Sequence, residues 1–128
     1  MSATLHPEYA GSCALDPQDC LALLARCESA SLACTVRALP TVVPVTVRVL
    51  QGTLRVALPT VADAARLVGQ IVALGAAVPS TPRAEGWWVL VRGELVPLAA
   101  GGRVLALDAI EVEGRALAPG PRGRWWRC

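Results

Sequence analysis

This sequence predicts a mainly β fold, an antiparallel sheet curled into a small barrel with short helices, and three observations carry the prediction. Residues 41–50 alternate with period two, Val43, Val45, Val47 and Val49 on one face and Val42, Pro44, Thr46 and Arg48 on the other. The segments that follow are joined by tight turns, Gln51-Gly52 and Gly101-Gly102, which suit antiparallel hairpins rather than parallel crossovers. Only two stretches, after Asp16 and after Thr60, carry helical spacing.

Residues 1–14 read as an extended arm, polar at first, with His6, Pro7 and Glu8 where a secretory leader would need an apolar run. Asp16 caps a helix with Pro17 at its first position and Asp19 in its first turn; Cys20, Leu21, Leu24 and Ala25 supply the apolar face up to residues 26–29. From Ala30 the period becomes two, Leu32, Cys34 and Val36 alternating with Ser31, Ala33 and Thr35, in a strand ending over residues 37–40. In the valine strand that follows, Pro44 cannot donate to a ladder, so an unpaired position or an edge lies there. The face carrying Pro44, Thr46 and Arg48 reads equally as a ligand wall or as a half-solvated edge.

Gln51-Gly52 turns the chain into a strand over residues 54–58. Thr60 caps a second helix, with Asp63 three residues on, Val61, Ala64, Ala65, Leu67 and Val68 as its apolar positions, and Gly69 as its stop. Residues 71–78 form a strand and residues 79–86 a loop. Residues 87–98 form a long strand or a bent pair, with Gly93 marking a bulge or a close approach. Residues 104–117 are a final strand pair or one long bent strand. The tail from Pro119 is rich in Pro, Gly and Arg and ends Trp125-Trp126-Arg127-Cys128.

A length of 128 residues suits one domain. Hydrophobic residues make up 54% of the chain, about 62% with glycine against a usual ~45–50%, which excludes disorder for most of it. The longest charge-free stretch, residues 67–82, is interrupted by Gln70 and Pro79 and falls short of the ~18–20 residues of a membrane span. Ten acidic and twelve basic residues leave a net charge of +2. That balance argues against a dedicated nucleic-acid-binding protein. Arg122, Arg124 and Arg127 beside Trp125 and Trp126 have the chemistry to stack on single strands, but three arginines are few, and a tail folded over a partner subunit explains them as well.

The five cysteines, at 13, 20, 27, 34 and 128, lie no closer than seven residues apart, and the single histidine is His6. Metal knuckles need tighter spacing, so no metal is expected. The thiols read as buried apolar side chains in a reducing cytoplasm.

Four segments in order resemble one family. Leu15-Asp16-Pro17 with Cys20-Leu21-Ala22-Leu23-Leu24 is similar to its opening helix. Ala30-Ser31-Leu32-Ala33-Cys34-Thr35-Val36 with Leu39-Pro40-Thr41-Val42-Val43-Pro44-Val45-Thr46 resembles its first hairpin. Gly86-Trp87-Trp88-Val89-Leu90-Val91-Arg92-Gly93 resembles its late sheet motif, and Ile110-Glu111-Val112-Glu113-Gly114-Arg115-Ala116-Leu117 its closing strand. The family is the pyridoxamine 5′-phosphate oxidase-like flavin-binding split barrels. The likeness covers residues 15–117, between an arm of residues 1–14 and a tail of residues 118–128.

The resemblance implies a six-stranded antiparallel Greek-key split β-barrel, a cytoplasmic homodimer, and FMN bound between the two subunits of an oxidoreductase whose substrate it does not name. In such a protein the cofactor supplies the chemistry and the chain orients it. The cofactor-binding residues it implies are Pro44, Thr46, Arg55, Thr60, Arg66, Trp87 and Trp88. Two adjacent tryptophans are also explained by one in the core and one at the dimer seam. The departure is at the phosphate: Leu58, Ala62 and Asp63 stand where the family has Thr, Ser and Lys. A phosphate facing Asp63 is repelled where it needs donors. Arg55 or Arg66 is a substitute, although Arg66 is also placed to pair with Asp63. The alternative to an FMN enzyme is therefore a relative without flavin, acting as a dimeric binding or regulatory module.

Overall fold

The computed structural model describes residues 12–99 and 102–117, so the expectations for residues 1–11 and for the tail lie outside the described residues. Ser12–Ala14 form β1 and Pro17–Ala25 form α1, whose start is held by Asp16 Oδ1 accepting from the Asp19 amide at 2.8 Å. Strands β2 (Ser29–Val36), β3 (Leu39–Leu50) and β4 (Thr53–Ala57) make one antiparallel meander. Helix α2 (Val61–Leu67) carries the chain across to a second meander of β5 (Ile71–Val78), β6 (Gly86–Pro97) and β7 (Val104–Leu117). Strand β5 pairs with β2 rather than with β4, which is the Greek-key step.

The sheet order is β1-β7-β4-β3-β2-β5-β6, and β6 also pairs with β7, so six strands close on themselves with β1 appended. The expected six-stranded Greek-key barrel is the observed one. The long segments 86–97 and 104–117 are each a single strand, their pairing shifted in register between Arg92 and Gly93. At that bulge a Cβ on Gly93 would stand 2.3 Å from the Asp108 carbonyl oxygen. The backbones approach closely there because residue 93 has no side chain.

Strand β3 shows how alternation fixes position. Val45 and Val47 are buried, and Val43 and Val49 pack against the same core. Strand β4 ends at Ala57 opposite Thr46, so residues 39–45 of β3 have no β4 neighbour. The two-residue turn pairs Val36 with Leu39; counting in twos from it, Pro40 and Pro44 occupy positions whose nitrogen faces that unpaired edge. The missing N–H is therefore harmless at both.

The two turns that join β2, β3 and β4 place residues at positive φ: Gln51 (51°) with Gly52 (78°), and Arg37 (52°) with Ala38 (65°). The first pair is readable from its glycine. The second is not, because neither arginine nor alanine favours the left-handed region, at a cost of roughly 1–2 kcal/mol per residue. Where β5 begins only at Ile71, the Gln70 side chain continues the pairing with β2. Its Oε1 accepts from the Thr35 amide at 3.2 Å and its Nε2 donates to the Thr35 carbonyl at 2.8 Å.

The core fills the barrel. Leu24, Leu32, Leu58, Leu67, Leu74, Leu95, Val56, Val89, Val91 and Cys20 are fully buried, each side chain contributing about 1.5–3 kcal/mol for the larger aliphatics. Helix α1 packs against β3 and β7, and a Cβ on Gly114 of β7 would come within 2.8 Å of Cys20 Sγ. The cysteine expectation needs one correction. Cys20 and Cys34 are buried free thiols and Cys27 is half-buried and free, but Cys13 is disulfide-bonded, to none of those three. Seven-residue spacing carries no sign of that bond. Desolvation raises the Cys20 and Cys34 thiols above their ordinary value, so both stay protonated at neutral pH. Among the described residues no helix is long and apolar enough to cross a membrane.

Gly93→Ala is expected to lower stability by about 1–3 kcal/mol in chemical denaturation, because backbone rather than a flexible side chain stands in the way; an unchanged midpoint contradicts the close approach. Ala38→Gly is expected to act oppositely and stabilise by up to ~1 kcal/mol, since glycine adopts the left-handed turn without strain. A loss of stability on that exchange contradicts the turn geometry.

Candidate functional site

A six-stranded barrel is narrower than the eight-stranded barrels whose lumen just admits a small ligand, and this lumen is occupied by leucine and valine. A ligand therefore has to bind outside. The outer face is uneven in a way that follows from the strand registers. Pro44, Ser31, Gly75 and Leu90 form one row across β3, β2, β5 and β6, and Ala77 stands opposite Trp88 on the last two strands. Small residues thus occupy the middle two strands and larger ones flank them.

The result is an open groove of about 700 Å³, with Ser29, Ser31, Gly75 and Ala77 along its floor and Pro44 and Trp88 at its sides. Ala30, Ala76, Val89 and Leu90 complete the lining, and no residue in it is charged. Without side chains beyond a methyl or hydroxymethyl group, the floor lets a flat molecule lie against the sheet backbone. Trp88 lines one side of it, and an indole is the kind of surface on which aromatic rings stack. Beside the groove, Val42 and Ile71 flank a second shallow depression with Ala33, Ala73 and Arg92. Val42 is 67% and Ile71 61% exposed, so the apolar surface continues beyond the groove.

The candidate residues named from the sequence fall in five places. Pro44 and Trp88 come together as walls of the groove. Thr46 follows Pro44 on the same exposed face of β3. Arg55 is on β4, directly opposite Arg48 of β3, and both side chains are exposed. Trp87 points the other way from Trp88, as neighbours on a strand must, and packs against the core beside Leu15, Leu23 and Ala116. It does not line the groove. The residues that sequence reading missed are Ser29, Ser31, Gly75 and Ala77. Their signal was the run of small residues at every second position in two segments, 29–33 and 73–77.

Thr60 and Arg66 lie at α2, and both are engaged by Asp63. Thr60 Oγ1 accepts from the Asp63 amide at 3.0 Å and donates to Asp63 Oδ2 at 2.9 Å. Arg66 Nη2 stands 3.5 Å from Asp63 Oδ1, the i, i+3 pairing that their spacing suggested. Leu58 is wholly buried and Ala62 offers only a methyl group. The start of α2 is thus closed off by its own carboxylate. Arg92 is likewise occupied: its Nη1 donates to Glu113 at 2.9 Å and to Glu111, and the Glu113 hydrogen bond, with Glu111 adding to it, raises the guanidinium above its usual value. Among the described residues no group of three or more His, Cys, Asp or Glu side chains is placed to hold a metal ion.

Thr60→Ala is expected to lower stability by about 1 kcal/mol through loss of the helix cap. Denaturation curves that superpose on the parent's contradict that role.

No protein-family model and no curated protein matches this chain. Solved structures do. It is similar to an FAD-binding protein from Mycobacterium smegmatis, with a TM-score of 0.69 and 18% identity over 84% of this chain and 99% of that one. A candidate pyridoxamine 5′-phosphate oxidase from Corynebacterium glutamicum aligns with a TM-score of 0.68 and 14% identity, over 84% of this chain and 98% of that one. An FAD-binding protein from Mesorhizobium loti gives 0.64 and 16%, over 82% and 96%. At such identities the shared property is architecture: this chain has the split-barrel fold of the pyridoxamine 5′-phosphate oxidase-like, flavin-binding proteins.

Proposed function

We propose that the chain is a flavin-binding split-barrel protein that works as a homodimer, an oxidoreductase in which the outer groove holds the flavin ring. The observation that carries this reading is the uncharged groove with a floor of Ser29, Ser31, Gly75 and Ala77 and an indole wall at Trp88. The flavin-binding descriptions of two structural neighbours support it. The ring end of the cofactor fits: a Cβ at Gly75 would make only ordinary contacts, with Leu90 Cδ1 at 3.7 Å and the Val89 carbonyl oxygen at 4.0 Å, so the floor is low because the sequence keeps it low. The phosphate end does not fit at α2, where Asp63 already uses the available donors.

A bound isoalloxazine ring would supply the electron-transfer chemistry. This chain's own part is to position the ring and exclude water. Pro44 gives a wall of fixed backbone geometry and Trp88 a stacking surface. The lining has no titratable side chain, so the groove itself contributes no general acid or base. A second copy of the chain is the natural cover for the open side. Val42 and Ile71 beside the groove supply the kind of apolar surface that large dimer interfaces use.

Titration with riboflavin, followed by flavin and tryptophan fluorescence, tests the reading. Binding is expected, and Gly75→Val should weaken it about tenfold or more by raising the floor into the ring. Protein that takes up no flavin overturns the proposal and leaves a dimeric binding or regulatory module as the reading of this fold.

A further inference from the structure

Strand β3 leads away from the groove along one exposed face, through Pro44, Thr46 and Arg48. Arg48 stands directly opposite Arg55 of β4. Two like charges facing each other across a strand pair oppose folding, and neither arginine has an ion-pair or hydrogen-bond partner among the described residues. Two other arginines are committed: Arg66 to Asp63, and Arg92 to Glu111 and Glu113. Arg48 and Arg55 are therefore a concentrated positive charge without an ion-pair partner, on the strand that walls the groove and on its neighbour β4.

Reach agrees with charge. Four residue steps along the strand lead from Pro44 to Arg48, about 13 Å, and an extended arginine side chain spans about half of that. A five-carbon polyol ending in a phosphate ester, leaving the groove past the Thr46 hydroxyl, covers the remainder. We infer that the Arg48–Arg55 pair is the seat of the phosphate ester of the flavin, in place of the start of α2. Guanidinium groups bind phosphate oxygens in forked, charge-assisted hydrogen bonds, and two of them side by side match a dianion. The facing charges that oppose folding of the free chain are neutralised when the anion is bound. This inference rests on the ring-binding reading of the groove. The phosphate ester is either the monophosphate of FMN or the diphosphate of FAD.

The test compares dissociation constants for riboflavin, FMN and FAD, measured by flavin fluorescence on the whole protein and on Arg48→Gln/Arg55→Gln and Arg66→Gln. For the parent, FMN or FAD is expected to bind about tenfold or more tighter than riboflavin, and the better of the two identifies the phosphate source. In the double variant the ratio of the riboflavin Kd to that of the phosphorylated ligand should fall to about one, whereas Arg66→Gln should keep the parental ratio. Equal affinities of the parent for all three ligands overturn the anion seat and leave the ring groove standing. A preference that survives the double variant, or is lost in Arg66→Gln, places the phosphate elsewhere and also overturns it. Failure of every ligand to bind removes the ring reading, and the inference with it.

Discussion

Closure of the barrel by β6 and β7 is the constraint on which the rest depends. Twelve residues of β6 pair with β7, and the ring they close has only six strands. A ring of that size has room inside for side chains and nothing else. Leucine and valine from all six strands fill it, and α1 adds Cys20 and Leu24. Every chemical property of the protein is thereby displaced to the outside of the sheet. Close pairing at Gly93 and Gly114 makes the closure possible, because a methyl group at either would meet backbone or a buried sulfur.

Once the inside is spoken for, the outward positions of β2, β3, β5 and β6 differ from an ordinary solvated face in two respects. They are small in the middle, at Ser31, Ala33, Ala73, Gly75 and Ala77, and apolar at the flanks, at Pro44, Val42, Ile71 and Trp88. Solvation alone asks for neither. A thin, uncharged floor suits a planar ligand, and apolar flanks suit a second subunit. Charge is then distributed around this surface rather than within it. The carboxylate of Asp63 caps α2 and holds Arg66, two carboxylates hold Arg92, and Arg48 and Arg55 are left facing each other.

Much of the barrel was legible from local chemistry. The period of two in residues 41–50 gives the inward valines, Asp16 and Thr60 announce both helix starts, and Gly93 announces the bulge. Pro44 foretold the unpaired edge of β3. What escaped was whatever depends on partners distant in sequence. The Arg37-Ala38 turn has no turn-forming residue and is imposed by the pairing of β2 with β3. Gln70 completes β2 through a side chain whose partner lies 35 residues away. Pro44 and Trp88 were recognised as site residues, yet the floor between them was not, because it arises from two strands, β2 and β5, that are distant in sequence and laid side by side. Trp87 joined Trp88 only by adjacency in sequence, although strand alternation sends the two to opposite faces. The capping role of Thr60 was readable at once, and that role is what removes its hydroxyl from any ligand.

The central claim is that a flat ring lies on the outer face of β2, β5 and β6. Backbone amide chemical-shift mapping of the isotopically labelled protein with lumiflavin, the ring system without its polyol, addresses it most directly. The account predicts that the amides and indole signals that move belong to Ser29, Ser31, Gly75, Ala77 and Trp88, with the residues of α2 unaffected. Perturbations centred on α2 or on the Trp87 side of β6, or none at saturating ligand, would contradict it.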